Sequence, residues 1–262
     1  MATNDLDPRI GRLFALGGRV AVITGGNSGI GEAIAWALGA AGARVVLMAR
    51  RGEELQRAVD AFARDGIVAA AVPCDLADRA ALADAALRAA APFGAPDILV
   101  NAAGINVRRP FEDVEDADWD TTLAVNLSAP FFLMRALAPA MRERRWGRVI
   151  NIASLQSVRA FADSAPYGAS KGGLAQLTRA MAQHWSRHGI TCNAIAPGLF
   201  PTPLTMPVLR DPARAAAMAS RTMVGRNGEL ADLHGVALFL ASDASAYVTG
   251  QMLFVDGGFT VG

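Results

Sequence analysis

The sequence predicts an α/β fold: a doubly wound parallel sheet of seven strands with helices on both faces. Three observations predict it. Short β-branched runs alternate along the chain with longer, alanine-rich stretches of helical period. A glycine-rich turn joins the first such run directly to a helix. The 262 residues contain no internal repeat, linker or low-complexity segment, which suits one large domain with a well-buried core. Alternation of this kind builds right-handed βαβ units and a parallel sheet covered on both sides.

Taken in order, residues 1–17 read as a short N-terminal arm, and 18–262 as the single domain. Strands are expected at 19–24 (RVAVIT), 44–49 (RVVLMA), 67–72 (IVAAAV), 97–102 (DILVNA), 148–153 (RVINIA), 191–196 (TCNAIA) and 252–256 (MLFVD). Helices are expected at 29–41, 53–65, 78–91, 117–144, 165–188 and 229–241. Residues 199–222, LFPTPLTMPVLRDPARAAAMASRT, break the rhythm with several prolines and a short helix. An excursion beyond a strand's carboxyl end is where a substrate lid would sit.

Bulk composition narrows the function. The formal net charge of +1 gives no electrostatic footprint for nucleic acid or an anionic membrane. The basic run MRERRWGR (141–148) ends a helix, where cations suit the dipole. Hydrophobic residues make up 52%, much of it alanine, and no uninterrupted apolar run approaches the length of a membrane span. The N-terminus lacks an apolar core of signal-peptide length, and the protein is expected to be cytoplasmic. Cys74 and Cys192 are far apart and form neither a disulfide framework nor a zinc pattern. His184 and His188 share a helix face but have no carboxylate between them, so no metal site is expected.

The turn ITGGNSGIGEAIAWAL is placed where a strand must bend sharply into a helix. Glycines permit that bend and let backbone approach a pyrophosphate at the helix N-terminus. Thr24, Gly25, Asn27, Ser28, Gly29, Ile30 and Gly31 are its candidate contacts. At the end of the second strand, a carboxylate would bind a ribose 2′-hydroxyl and repel a 2′-phosphate. Here Ala49 takes that place and Arg50 and Arg51 follow, so NADP(H) is expected to be preferred, with NAD(H) possible. The alternative is that both arginines only close the strand end in water. Glu53 and Glu54 begin the next helix, where acids favour the dipole, and are not expected to touch cofactor. Asp75 and Leu76 follow the third strand, and Asn101, Ala102, Ala103 and Gly104 the fourth, placed for the adenine and the ribose.

Among 25 Lys plus Arg residues, Lys171 is the one lysine, and Tyr167 is one of two tyrosines. They stand four apart on a predicted helix and share a face. Ser154 ends the strand before it. Ketone reduction needs a proton delivered to the developing alkoxide, and the reverse oxidation needs it removed. A phenol does both, but its reference pKa of about 10 must fall by roughly three units, about 4 kcal/mol, to act as a base near pH 7. A neighbouring ammonium and an oxidised nicotinamide are expected to supply that bias. Arginine would keep the charge but is a poor proton relay. Serine would hold the carbonyl oxygen against the phenol.

Together these residues resemble the short-chain dehydrogenase/reductase family of compact, single-domain type. The pattern runs from TGxxxGxG at Thr24 to Gly31, through Asp75, NAAG at 101–104 and Asn126 in VNLSAPF. It continues through Ser154, Tyr167 and Lys171 to APG at 196–198, Thr202 and VDGG at 255–258. The resemblance implies a Rossmann-type sheet of strand order 3-2-1-4-5-6-7. It implies a catalytic tetrad of Asn126, Ser154, Tyr167 and Lys171, with Asn126 holding a water on the proton route. It also implies that backbone at Phe200 and the Thr202 hydroxyl grip the nicotinamide carboxamide, that Pro197 and Gly198 contact the cofactor, and that two long helices partly build a homotetramer. One departure exists: Ala102 stands where the family often has a second asparagine.

GINVRRPFED and SLQS look like the sugar-acid and polyol dehydrogenases of that family, such as gluconate 5-dehydrogenases. Asn106, Arg108, Arg109 and Gln156 are then candidates for a polar or anionic small-molecule substrate, alongside Ser154 and Tyr167. The arginines could equally be surface or subunit-contact residues. Reduction of a 3-oxoacyl thioester or another bulky ketone is the alternative within enzymes. A catalytically silent NADP(H)-binding sensor is the alternative outside them.

Overall fold

The computed structural model describes residues 7–262. Its centre is β1 (Val20–Thr24), VAVIT, every residue of which is buried. A strand buried on both faces must be apolar throughout, and it sits between two parallel neighbours. β1 pairs with β2 (Arg44–Ala49) and with β4 (Ile98–Asn101). The sheet grows outward through β3 (Ala69–Pro73) on one side and through β5 (Gly147–Ile152), β6 (Ile190–Pro197) and β7 (Met252–Val255) on the other. All seven strands are parallel in the order 3-2-1-4-5-6-7, as expected.

Alternate residues feed opposite cores. Ala21, Ile23, Val45, Leu47, Ile98 and Val100 face α2 (Gly29–Ala40), α3 (Gly52–Arg64) and α10 (His234–Ala241). Val20, Val22, Val46, Met48 and Leu99 face α4 (Ala81–Ala90), α6 (Ala129–Arg144) and α7 (Ala165–Trp185). Each fully buried Leu or Ile contributes about 1.5–3 kcal/mol, so the sheet is the rigid part of the molecule. The edge strand β3 reads AAAVP and has weak β propensity. It holds because β2 supplies its ladder, and its terminal Pro73 is tolerated at an edge.

Three details depart from the sequence reading. The expected arm contains α1 (Pro8–Phe14), capped by Asp7, whose carboxylate accepts the Arg9 N–H at 2.8 Å; Leu16 behind it is in the core. Residues 1–6 of that arm lie outside the described residues. The expected helix 117–144 is three pieces: α5 (Asp116–Leu123), a π turn (Ala124–Ser128) and α6. The whole run Asp116–Arg144 is long and apolar enough, by length and composition alone, to cross a membrane, although charged residues interrupt it. Its apolar residues Leu133, Met134, Leu137 and Met141 are instead spent on packing against the sheet.

The excursion after β6 carries two short helices rather than one, α8 (Met206–Leu209) and α9 (Pro212–Ala219). It is closed at its neck by the Gly228 N–H, which donates to the Leu199 carbonyl at 2.9 Å. At its root the Thr205 hydroxyl donates to the Phe200 carbonyl and lies 2.9 Å from the Thr202 hydroxyl. Asn227 ties α9 back by donating to the Ala215 carbonyl at 3.0 Å.

Candidate active site

Beyond the carboxyl ends of the strands lies a cavity of about 380 Å³. Strands that run parallel end on the same side, so loops from distant parts of the sequence meet there. Most sequence candidates line it. Gly25, Asn27, Ser28, Gly29, Ile30 and Gly31 come from the turn after β1, and Arg50 and Arg51 from the end of β2. Asp75 and Leu76 follow β3; Ala102, Ala103, Gly104, Asn106 and Arg108 follow β4. Ser154 and Gln156 follow β5, Tyr167 and Lys171 project from α7, and Pro197, Gly198, Phe200 and Thr202 follow β6.

The turn after β1 fits the role given to it. Gly25 has φ +67°, and a Cβ there would stand 2.9 Å from the Ala103 Cα. A Cβ on Gly31 would stand 2.3 Å from the Gly25 carbonyl oxygen. Only glycine allows the turn to close against both α2 and the loop after β4. Gly29, Ile30 and Gly31, which open α2, line the cavity, and the first N–H groups of a helix lack intrahelical partners, as an anion site needs.

Three candidates do not reach the cavity wall. Thr24 is 2% exposed, and its hydroxyl accepts the N–H groups of Ala102 and Ala103, both at 3.1 Å. It shapes the wall from behind. Asn101 is turned within the sheet toward β5, where its amide donates to the Asn151 side chain at 2.8 Å. Asn126 is fully buried in the π turn. Its amide donates to the Ile105 carbonyl at 2.9 Å and to the Ser170 hydroxyl at 3.0 Å, and accepts the Ile105 N–H at 2.9 Å. Asn126 thus fastens the loop after β4 to the long helix. A further candidate, Arg109, is engaged elsewhere: its guanidinium pairs with Glu115 and, at 3.0 Å, with Asp118. Its neighbour Arg108 lines the cavity, and Arg109 does not.

Ser154, Tyr167 and Lys171 converge. The Ser154 hydroxyl accepts the Gln156 N–H at 3.1 Å and caps the 3-10 turn Leu155–Ser157. The Ser157 hydroxyl then donates to the Lys171 carbonyl at 2.8 Å, joining that turn to α7. Pro166 occupies the first turn of α7, where its missing N–H costs nothing. The Lys171 ammonium donates to the Ile152 carbonyl at 2.6 Å and lies 5.6 Å from the centre of the Tyr167 ring. A Cβ on Gly104 would stand 3.5 Å from both the Lys171 Nζ and the Asn126 Oδ1, so glycine there keeps space beside the ammonium.

Electrostatics correct one expectation. Burial brings the Lys171 pKa down to about 8, as expected for a cation taken out of water. Tyr167, however, is shifted up rather than down. Burial is the main cause, and the Ser154 hydroxyl and the charge of Arg108 oppose it. The ammonium is spent on Ile152 and is itself depressed, so in the protein alone it does not offset the phenol's loss of water.

Residues 25–260 match the family described as "Enoyl-(Acyl carrier protein) reductase". Gluconate 5-dehydrogenase from Gluconobacter oxydans (strain 621H) is 41% identical over 249 residues, 95% of this chain and 97% of that one. The chain belongs to the short-chain dehydrogenase/reductase family. This dehydrogenase/reductase is also 40% identical to galactitol 2-dehydrogenase (L-tagatose-forming) from Cereibacter sphaeroides, over 95% of this chain and 98% of the other. Among solved structures, a gluconate 5-dehydrogenase from Burkholderia cenocepacia J2315 in complex with NADP and tartrate superposes with a TM-score of 0.92 at 41% identity. That match covers 97% of this chain and 99% of the other.

Sequence reading missed some supports of this dehydrogenase/reductase site. Ser157 and Ser170 fix α7; a Ser-x-x-Ser spacing after β5 was the one signal for Ser157, and nothing marked Ser170. Glu54 pairs with Arg51 at 2.7 Å and accepts the Asn27 amide at 3.1 Å. Nothing in a run of helix-opening acids marked it. Among the described residues, no group of three or more metal-ligating side chains exists.

Proposed function

We propose that the protein transfers a hydride between NADP(H) and a secondary alcohol or ketone on a hydroxylated, acidic small molecule of the sugar-acid or polyol type. One observation carries the substrate class. On the cavity wall shared with Ser154 and Tyr167, Asn106 and Gln156 each keep a buried amide oxygen with no hydrogen-bond partner among the described residues. Buried acceptors are satisfied when a ligand brings donors, and substrate hydroxyls are donors. Arg108 adds an exposed cation on that wall for a carboxylate. The names of the relatives point the same way.

When bound, the nicotinamide supplies or accepts the hydride. Ser154 holds the substrate oxygen, and Tyr167 gives it a proton or takes one away. Lys171 binds ribose hydroxyls and restores the proton. Asn126 keeps the loop at Ile105 in place beside it, within reach of a relay water. The raised phenol suits the reductive direction in the free protein, because the acid is fully protonated at neutral pH. Tyr167 would release its proton more readily, and so favour oxidation, were a positively charged nicotinamide bound in the cavity.

The test is a substrate panel with purified protein, both cofactors and both directions. Sugar acids and polyols should give the highest kcat/KM, with NADPH ahead of NADH. Arg108→Ala should raise KM for the acids by about tenfold or more while neutral polyols change less. Faster turnover of a 3-oxoacyl thioester would overturn the substrate class. Tight nucleotide binding without any turnover would make the protein a sensor.

We also infer a homotetramer built partly on α5–α6 and α7, since Trp119 and Phe131 stand 42% and 43% exposed there. Light scattering should then give about four times the 27.3 kDa chain mass. A monomer at micromolar concentration would refute the inference.

A further inference from the structure

We propose that Glu54 sets how strongly the protein distinguishes a ribose 2′-phosphate from a free 2′-hydroxyl. This rests on the reading of Arg50 and Arg51 as the cations at that ribose. The two arginines are not equivalent. The Arg51 Nη2 lies 2.7 Å from the Glu54 Oε2, and the same oxygen accepts the Asn27 Nδ2 at 3.1 Å. Arg50 makes no ion pair among the described residues.

The geometry gives Glu54 reach without contact. Asn27 lies in the turn after β1 and Arg51 caps α3, so one carboxylate bridges two walls of the cavity. Glu54 itself is set behind that wall, its side chain 32% exposed. It stands in the first turn of α3, where the helix N-terminus favours an acid. The electrostatic result is a site with two guanidiniums and one carboxylate. A phosphate dianion gains the full attraction of Arg50. From Arg51 it gains only what is left after repulsion by Glu54. A neutral hydroxyl is almost indifferent to all three. Glu54 therefore holds down discrimination and keeps both nicotinamide cofactors usable.

A second role would have the opposite sign. If Glu54 chiefly aimed Arg51 at the phosphate, its removal would weaken phosphate binding. Glu54→Gln separates the two, because glutamine keeps an oxygen for Asn27 and loses the charge.

The experiment is isothermal titration of the whole protein with adenosine 2′,5′-bisphosphate and with 5′-AMP, at low and at high salt. Variants are Glu54→Gln, Arg50→Ala, Arg51→Ala and the pair Glu54→Gln with Arg51→Ala. Glu54→Gln should tighten the bisphosphate about three- to tenfold relative to 5′-AMP, and high salt should shrink the gain. Arg51→Ala should cost the bisphosphate less in the wild type than in the Glu54→Gln background. The NADPH/NADH ratio of kcat/KM should rise in parallel. An unchanged or weakened bisphosphate in Glu54→Gln overturns the proposal while leaving the arginine reading intact. If Arg50→Ala and Arg51→Ala both leave the bisphosphate preference untouched, the arginine reading fails and this proposal falls with it.

Discussion

Tyr167→Phe is expected to lower kcat by about 10²–10⁴-fold while nucleotide binding stays within a few-fold of the wild type. The substitution removes one oxygen and leaves the ring, which is 9% exposed and packed at the start of α7. The fold should therefore survive, and a melting curve checks that it does. Hydride transfer without a proton donor leaves an alkoxide held only by Ser154. Stopped-flow measurement of NADPH oxidation in a single turnover, beside a fluorescence titration of NADPH, separates chemistry from binding. Turnover retained within tenfold would move the proton donor to another group.

Lys171 should titrate near pH 8 rather than in the ordinary lysine range. It is the only lysine in the chain, so selective lysine labelling gives a single side-chain signal to follow by NMR. The sign of the stability effect follows from the direction of the shift. Below about pH 8 the folded protein carries a buried ammonium, at a cost of about 3 kcal/mol. Between about 8 and 10.5 the unfolded chain holds a proton that the folded protein has released, so this group makes stability rise with pH. The rise should be absent in Lys171→Met. Lys171→Arg keeps the charge, but it must seat a planar fork beside Gly104 and cannot release a proton. Its kcat should fall by about 10² or more. A lysine signal titrating above pH 10, or an arginine variant with near-normal kcat, would remove lysine's special place in the mechanism.

Much of the sheet was legible because strands buried on both faces write themselves as apolar runs. RVVLMA at 44–49 matches β2 residue for residue, and the order of the strands followed from the family resemblance. Elements decided by a single side-chain bond were not legible. The π turn exists where Asn126 reaches Ile105, and no periodicity announces it. Arg108 and Arg109 are identical letters side by side. Only the placement of Glu115 and Asp118 tells which is committed to α5. Thr24 and Asn101 belong to the motif, but the Thr24 hydroxyl and the Asn101 amide nitrogen serve backbone and sheet, and neither residue lines the cavity. The phenol's upward shift was hidden for a related reason: sequence shows which charges are near, and burial is known only once the chain is folded.

The hydrogen bond from Gly228 to Leu199 makes residues 200–227 an insert whose two ends meet at one point on the rim of the sheet. Ends already joined cost little more to close when the loop between them grows or shrinks. The strand registers and the Ser154–Tyr167–Lys171 cluster lie outside the insert. The shape of one cavity wall and the Ser154–Tyr167–Lys171 cluster are thus carried by separable parts. One is an exchangeable cassette that contributes Leu204 and Met218 to a cavity whose Asn106, Arg108 and Gln156 come from elsewhere; the other is a fixed chassis.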